Sequence, residues 1–181
     1  ATAYSYKKGD MYPRYFNTPN QVGLSKKISS LENAEESLVF GSGMAAISTT
    51  LLSFLSSGDH VIFQPDLYGG TRNFATEHLN TYGIEYSFAN SINLNDFSSQ
   101  IKSNTKVIYV ETPSNPLMKI IDLKGISELA KDNNIITIID NTFASPVNQN
   151  PISLGIDIVI HSATKYLLSL IHISEPTRPL T

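Results

Sequence analysis

The segment 135–146, IITIIDNTFASP, opens with five apolar or threonine residues and turns polar at Asp140. A strand that is apolar at nearly every position is typical of a parallel sheet covered on both faces, because neither face meets water. The segment therefore predicts a buried parallel strand with a carboxylate at its end. A buried carboxylate needs a cationic partner or else stays protonated. The alternative is that Asp140 caps a following helix.

Similar runs recur along the chain, separated by segments in which apolar residues have helical spacing. The predicted strands are ESLVFGSG (36–43), HVIFQP (60–65), IEYSFA (84–89), TKVIYVETP (105–113), IITIIDNT (135–142) and IDIVIHSA (156–163). The predicted helices are SKKISSLENAEE (25–36), GMAAISTTLLSFLS (43–56), GTRNFATEHLNTYG (70–83), LNDFSSQIKS (94–103) and LKGISELAKDNN (123–134). This alternation predicts an α/β fold, with a mostly parallel sheet and helices on both of its faces.

The carboxyl ends of the strands are where an open parallel α/β sheet binds its ligand. Five of the predicted strands end in small, polar or aromatic residues, and we expect these ends to converge on one place. They are Gly41–Met44, Pro65–Tyr68, Glu111–Pro116, Asp140–Thr142 and His161–Lys165.

The first of these ends, VFGSGMAA (39–46), has a Gly-x-Gly-x-x-Ala pattern between a strand and a helix. Backbone N–H groups at a helix N-terminus bind phosphate. One alternative is a dinucleotide site with Asp66 as the ribose partner, as in a nicotinamide-dependent oxidoreductase. Another is a tight turn that binds nothing.

Lys165 ends the apolar run DIVIHSATK, at a position predicted to be buried. A lysine there is either paired with a carboxylate or a nucleophile with a depressed pKa. The Ser-x-x-Lys pattern of penicillin-binding enzymes also matches Ser162 and Lys165, but the partner motifs of those enzymes are absent from the chain. His161 is expected to pack or hydrogen-bond locally. Tyr68 is either a surface aromatic or a plate over a flat ligand.

Composition excludes several classes of protein. The net charge of the 181 residues is −3 with no basic cluster, which argues against binding to nucleic acid or to an anionic membrane. There is no cysteine, and the four histidines lack ligand spacing, so no metal is expected. No apolar run approaches the roughly 18 residues of a membrane span. A cytoplasmic location is expected.

Together the strand ends provide an anion cradle, a buried carboxylate, an aromatic plate and a lysine. Pyridoxal phosphate is a cofactor that uses all four. Its aldehyde forms a Schiff base with a lysine, its phosphate binds helix N–H groups and hydroxyls, and its ring nitrogen pairs with a carboxylate.

The motifs SGMAA, DLYGGT, YVETPSNP, DNTFASP and HSATKYL, in this order, resemble the Cys/Met-metabolism family of pyridoxal-phosphate enzymes. The resemblance runs from about Tyr12 to Leu167. It implies the fold-type I, aminotransferase-like architecture, with residues 1–20 as part of an N-terminal arm and 21–167 as an incomplete cofactor-binding domain. After HSATKYL the sequence departs from the family pattern. Residues 168–181 are therefore predicted to be a non-native tail, and the C-terminal domain to be missing.

The resemblance also implies roles for individual residues. Lys165 matches the lysine that holds the cofactor and later shuttles protons. Asp140 matches the partner of the pyridine nitrogen, Tyr68 the residue that stacks on the ring and acts in acid–base steps, and Asn115 the neighbour of the 3′-oxygen. The phosphate ligands would be the Gly43 and Met44 N–H groups, the Ser162 and Thr164 hydroxyls, and Tyr12 and Arg14 from a neighbouring subunit.

The implied activity is that of a carbon–sulfur lyase of sulfur amino-acid metabolism, which forms an external aldimine and eliminates a β or γ substituent. The implied partners are a sulfur amino-acid or activated homoserine substrate and further copies of the chain, a dimer at least and a tetramer for a full-length parent. One alternative is a γ-replacement enzyme, either cystathionine γ-synthase or O-acetylhomoserine sulfhydrylase. Another is that this truncated chain is itself inactive.

Overall fold

The computed structural model describes residues 12, 15 and 17–167 of the chain. The helices are α1 (Pro19–Glu32), α2 (Gly43–Phe54), α3 (Gly69–Glu77), α4 (Leu94–Ser98), α5 (Leu123–Asp132) and α6 (Ser145–Asn148). The strands are β1 (His60–Phe63), β2 (Glu85–Phe88), β3 (Thr105–Glu111), β4 (Ile136–Asp140) and β5 (Ile158–Ile160). Short 3-10 turns span Leu79–Tyr82 and Pro151–Leu154.

The five strands form one sheet in the order β2-β1-β3-β4-β5, and every neighbouring pair is parallel. Parallel neighbours need crossover connections, and the helices between the strands provide them. The predicted fold class, a parallel α/β sheet, is confirmed.

Both faces of the sheet are covered, as the continuous apolar runs predict. Along β1, Val61 and Phe63 pack into a core with α2 and α3, while Ile62 packs into a second core with α4 and α5. Side chains alternate between the two faces of a strand, so a strand buried on both sides must be apolar throughout. The sequence pattern of the central strands follows from this arrangement.

The strand predicted at 36–43 is wrong. Residues 37–40 have no regular secondary structure and pair with no strand of the described chain, and Leu38 is 71% exposed. The apolar residues of this segment, Leu38 to Phe40, lead into α2. Ser42 caps that helix by accepting the Ala45 N–H at 3.0 Å. An apolar run of three residues predicts burial, but it does not ensure that a partner strand is adjacent.

All five predicted helices are present, with changed bounds. The first begins at Pro19, six residues before the prediction, because Thr18 and Pro19 form a typical helix start and Gln21 Oε1 accepts the Thr18 N–H at 3.3 Å. The predicted boundary between residues 20 and 21 thus falls inside α1, and the division into arm and domain remains a prediction. Within residues 17–167, no helix combines the length and the apolar character that a membrane crossing requires.

Candidate active site

A cavity of about 360 Å³ opens at the carboxyl ends of the strands, within the usual size range of small-molecule sites. Each of the five segments expected to converge contributes to its wall. The lining residues are Gly41, Ser42, Gly43, Met44, Ile47, Tyr68, Glu111, Pro113, Asn115, Asp140, Thr142, Phe143, Ser162, Thr164 and Lys165. Tyr12 is not among them, and Arg14 lies outside the described residues, as do residues 168–181.

One end of the cavity is built by the N-terminus of α2. Ser42 satisfies the Ala45 N–H, and the Gly43 and Met44 N–H groups have no hydrogen-bond acceptor within the described part of the chain. The first N–H groups of a helix lack intrahelical partners and carry partial positive charge, so they are suited to an anion. Opposite them, the Ser162 and Thr164 hydroxyls lie 3.1 Å apart.

Gly43 is required at this point by close packing. A Cβ atom on Gly43 would lie 2.9 Å from the Cβ and 3.0 Å from the Oγ of Ser162. Glycine therefore lets the α2 N-terminus and the Ser162 side chain approach each other closely.

Asp140 ends β4 and is 6% exposed. Burial raises the pKa of its carboxyl, while hydrogen bonds from the Thr142 side chain and backbone and the nearby His161 act in the opposite direction. The Thr142 N–H donates to Oδ1 at 3.0 Å. Asp140 does not cap a helix, because α6 begins only at Ser145. No lysine or arginine of the described chain pairs with it, so the carboxylate is available to a cationic group of a ligand.

Lys165 lies in the turn that follows β5 and is exposed, which corrects the expectation of a buried lysine. The reason is that β5 is the edge strand of the described sheet, and only Ile160 among its three residues is buried. The side chain lines the cavity, and within residues 17–167 it forms no ion pair with a carboxylate. Of the two alternatives given for this lysine, pairing with a carboxylate is not found among the described residues. Its role as a nucleophile stays a prediction.

Tyr68 stands at the start of α3, is 44% exposed and lines the cavity opposite the strand ends. Its ring lies so close to Gly70 that a Cβ there would come within 2.6 Å of Tyr68 Cε1 and 2.9 Å of the Met44 sulfur. The glycine makes room for the aromatic ring beside the α2 N-terminus. Tyr68 thus lines the cavity and is not an isolated surface residue, while its role as a plate over a flat ligand stays a prediction.

Glu111 is a site residue to which sequence reasoning assigned no role. It ends β3, is 4% exposed, and burial raises the pKa of its carboxyl to about 7 in spite of backbone hydrogen bonds from Tyr68 and Asn115. The signal was available, since Glu111 follows four apolar residues just as Asp140 follows its own apolar run.

A second missed feature lies behind the cavity. His161 Nε2 is 2.5 Å from Glu32 Oε1 at the end of α1, and both side chains are less than a tenth exposed. Asn141 donates to the same oxygen at 2.9 Å and accepts from Gln149 at 2.8 Å. His161 was expected to pack or to hydrogen-bond locally: its side chain is buried, but its hydrogen bond is not local, because the partner is 129 residues away along the chain.

A second depression, of about 650 Å³, lies beside α4 and contains Asp96 and Asp122. Both carboxylates already accept hydrogen bonds, from Ser91 and from the Gly125 N–H. Asp66, the ribose partner in the dinucleotide alternative, pairs with Lys119 and does not line the cavity at the strand ends. The structure therefore offers no support for a dinucleotide site.

Comparison with known proteins places the chain in a family. Residues 2–169 match the family of Cys/Met metabolism PLP-dependent enzymes, where PLP is pyridoxal phosphate, and the chain belongs to that family. It is 47% identical to cystathionine beta-lyase MetC of Bacillus subtilis (strain 168), over 91% of this chain and 40% of that protein. It is 46% identical to L-methionine gamma-lyase of Fusobacterium nucleatum subsp. nucleatum, over 88% of this chain and 40% of that protein. The chain thus spans about 40% of the length of these curated relatives.

Solved structures agree in fold. The metB protein of Corynebacterium glutamicum superposes with a TM-score of 0.85 at 38% identity, over 89% of this chain and 42% of that one. The metY protein of Campylobacter jejuni subsp. jejuni superposes with a TM-score of 0.83 at 34% identity, over 88% of this chain and 39% of that one. That structure contains N'-pyridoxyl-lysine-5'-monophosphate. The predictions of a fold-type I architecture and of pyridoxal phosphate as cofactor are confirmed.

The residues present fit this cofactor. Two helix N–H groups without an acceptor among the described residues and two hydroxyls lie at one end of the cavity, and a buried carboxylate, an aromatic ring and a lysine line the rest of it. The roles of the individual residues are taken up below as proposals.

Proposed function

We propose that this chain is the cofactor-binding part of an enzyme of sulfur amino-acid metabolism that cleaves carbon–sulfur bonds by β- or γ-elimination. The observation that carries the proposal is the single cavity into which Lys165, Asp140, Tyr68 and the α2 N-terminus all project. The choice of reaction rests on the relatives, which are named cystathionine beta-lyase and methionine gamma-lyase.

In this proposal the α2 N-terminus binds the phosphate, with Gly43 and Met44 donating their N–H groups and Ser162 and Thr164 their hydroxyls. Four neutral donors leave the anion only partly compensated, so the guanidinium of Arg14 and the hydroxyl of Tyr12 from a neighbouring subunit would complete the site. The roles of Arg14 and Tyr12 come from the resemblance to the family, and on that basis we propose a dimer at least, and a tetramer for a full-length parent.

Asp140 binds the pyridine nitrogen. Because burial raises the pKa of its carboxyl, the ionised form is costly until a positive charge lies next to it, and a protonated ring nitrogen provides that charge. When bound, the cofactor supplies an electron sink for the negative charge that develops at the substrate's α-carbon. Asp140 keeps the ring nitrogen protonated, Tyr68 covers the ring, and Asn115 hydrogen-bonds the 3′-oxygen.

The amine of Lys165 would hold the cofactor through its aldehyde group, and would become free when a substrate amine replaces it. Its amine, Nζ, then accepts the proton from the substrate's α-carbon and returns a proton to a second carbon or to the leaving group. The exposed position of Lys165 suits this work, since a side chain that is not packed can move between two atoms of a substrate. The Tyr68 hydroxyl, which faces the same cavity, serves as a second acid or base.

The first test is chemical labelling of the 181-residue chain. Pyridoxal phosphate is added, the mixture is reduced with borohydride, and peptide mass mapping identifies the lysine that carries the pyridoxyl group. We expect labelling at Lys165, and loss of it in Lys165→Ala but not in Lys27→Ala, a matched control on α1. Labelling spread over surface lysines would overturn the proposal.

The second test separates elimination from replacement. A lyase supplied with L-cystathionine releases a thiol, ammonia and a 2-oxo acid, whereas a γ-replacement enzyme joins an activated homoserine to a thiol and releases no 2-oxo acid. Product formation only in the second assay would favour the alternative of cystathionine γ-synthase or O-acetylhomoserine sulfhydrylase. Labelled chain without product in either assay would favour the alternative that this chain is itself inactive. A cytoplasmic location remains a prediction.

A further inference from the structure

The carboxylate of Glu111 joins two loops of the cavity. Oε2 accepts the Tyr68 N–H at 2.8 Å, and Oε1 accepts the Asn115 N–H at 2.7 Å. Tyr68 belongs to the loop between β1 and α3, and Asn115 to the loop between β3 and α5. One side chain therefore determines the separation of two loops that come from different parts of the chain.

Glu111 is itself held in place by the sheet. Its N–H donates to Gln64 Oε1 at 2.7 Å, and its carbonyl accepts from Gln64 Nε2 at 2.9 Å. Gln64 is fully buried at the end of β1, and on the other side Glu111 is the register partner of Asp140 on β4. The carboxylate thus projects from a rigid point between two neighbouring strands.

The side chains of Tyr68 and Asn115 have no such support of their own. Within the described part of the chain, neither the Tyr68 hydroxyl nor the side-chain amide of Asn115 forms a hydrogen bond, although both residues line the cavity. Their positions are set through the hydrogen bonds that their backbone N–H groups donate to the Glu111 carboxylate. A carboxylate hydrogen bond of this kind is strongest when the acceptor is ionised, and for Glu111 the ionised form predominates above its raised pKa of about 7.

We propose that Glu111 is a positioning residue of the cofactor site, whose two carboxylate oxygens hold the Tyr68 and Asn115 loops at the separation that a flat ring requires. This inference rests on the proposed function, since it concerns the same cavity. Glutamine cannot replace Glu111, because one of its two polar atoms is a donor and would face an N–H group. Aspartate keeps both acceptors but is one methylene shorter.

The test compares Glu111→Gln and Glu111→Asp with the wild-type chain and with Glu128→Gln, an exposed glutamate on α5. Hydrogen exchange is followed at the Tyr68 and Asn115 amides and, as a reference, at the core amides of β1 and β4. We expect exchange at one or both loop amides to become about tenfold faster in Glu111→Gln, with the reference amides unchanged. Glu111→Asp should be intermediate, and Glu128→Gln should match the wild type.

The same four proteins are titrated with pyridoxal phosphate, and the visible circular dichroism of the bound cofactor is recorded at saturation. Glu111→Gln should bind about tenfold more weakly and show a smaller dichroic band, while borohydride still labels Lys165. A smaller band at saturation reports a displaced ring, which a loss of general stability does not produce.

The proposal is overturned if the loop amides exchange as in the wild type, or if Glu111→Gln lowers the melting temperature but binds cofactor with unchanged affinity and dichroism. If the wild-type chain itself binds no pyridoxal phosphate, the proposed function fails, and the positioning role falls with it. The two failures are distinguished by the wild-type titration.

Discussion

The ends of β3 and β4 carry two acids in matched positions, and they differ in how their oxygens are used. Glu111 and Asp140 are register partners, are 4% and 6% exposed, and burial raises the pKa of both carboxyls. Glu111 accepts one N–H group from the loop after β1 and one from the loop after its own strand. Asp140 accepts its hydrogen bonds from Thr142, two residues further along.

The comparison shows that burial at a strand end does not by itself assign a role to an acid. An acid whose two oxygens accept hydrogen bonds from two separate loops has a structural role, because the loss of those bonds lets the loops move. An acid that is bonded by its own turn alone retains capacity for a ligand. The four predictions below test this distinction, from the largest expected effect to the smallest.

Glu111→Ala should lower the free energy of unfolding by about 2 to 4 kcal/mol at pH 7, because two partly buried N–H groups lose their acceptor. Asp140→Asn should change it by less than about 1 kcal/mol without cofactor, since the amide oxygen still accepts the Thr142 N–H and no buried charge remains. Urea unfolding of the 181-residue chain measures both. Equal losses in the two variants would remove the distinction.

The second prediction is a contribution of Glu111 to the pH dependence of the free energy of unfolding. Its carboxyl pKa is raised from 4.5 to about 7, first by burial, with a further upward contribution from the Asp140 charge. The folded state therefore binds this proton more tightly than the unfolded state. The stabilisation is complete below pH 4.5 and is lost as the pH rises towards and through 7, by up to about 3 kcal/mol.

The free energy of unfolding, measured from pH 5 to pH 8 for wild type and Glu111→Gln, isolates this contribution. Glutamine does not titrate, so the difference between the two curves should change in favour of the variant as the pH rises. A constant difference would show that Glu111 does not titrate in this range.

Asp140→Asn should weaken the binding of pyridoxal phosphate about 10- to 100-fold, because an amide cannot keep the ring nitrogen protonated and the charged hydrogen bond is lost. Spectrophotometric titration measures the affinity. Within the comparison, Asp140 should thus matter more for the cofactor than for stability. A larger loss of affinity in Glu111→Gln than in Asp140→Asn would reverse the roles argued here.

The smallest effect is expected at a third acid, which is exposed. Glu128 lies 4.0 Å from Lys124 on α5, and both side chains are well over half exposed. Glu128→Gln should change the free energy of unfolding by no more than about 0.5 kcal/mol, since exposed ion pairs contribute little. Thermal melting measures this change. A larger loss of stability would mean that removing a negative charge, and not the loss of hydrogen bonds to two loops, explains the Glu111 result.

Much of the fold and of the site could be predicted from the sequence. The strands that lie in the centre of the sheet show it most clearly, because a strand buried on both faces must be apolar throughout. The segment 36–43 shows where this reasoning fails, since its apolar residues resemble a strand but pair with no strand among the described residues. Pairing depends on neighbours, which a local pattern does not contain.

The edge strand shows a related error. The run before Lys165 resembles that before Asp140, yet β5 has a neighbour on one side in the described sheet and is only partly buried. Sequence reasoning therefore expected a buried lysine where the structure has an exposed one. The order of strands in the sheet decided the difference.

By itself the sequence determined the α/β class, the position of the site at the strand ends, and the identity of the cofactor. These follow from the periodicity of apolar residues and from short motifs, which are local properties of the chain. Only the tertiary structure decided which partners the buried polar groups have. Glu111 receives an N–H group from Tyr68, 43 residues away, and His161 meets Glu32 across 129 residues. Such partners are brought together by the packing of strands and helices, and no pattern within a short segment specifies them.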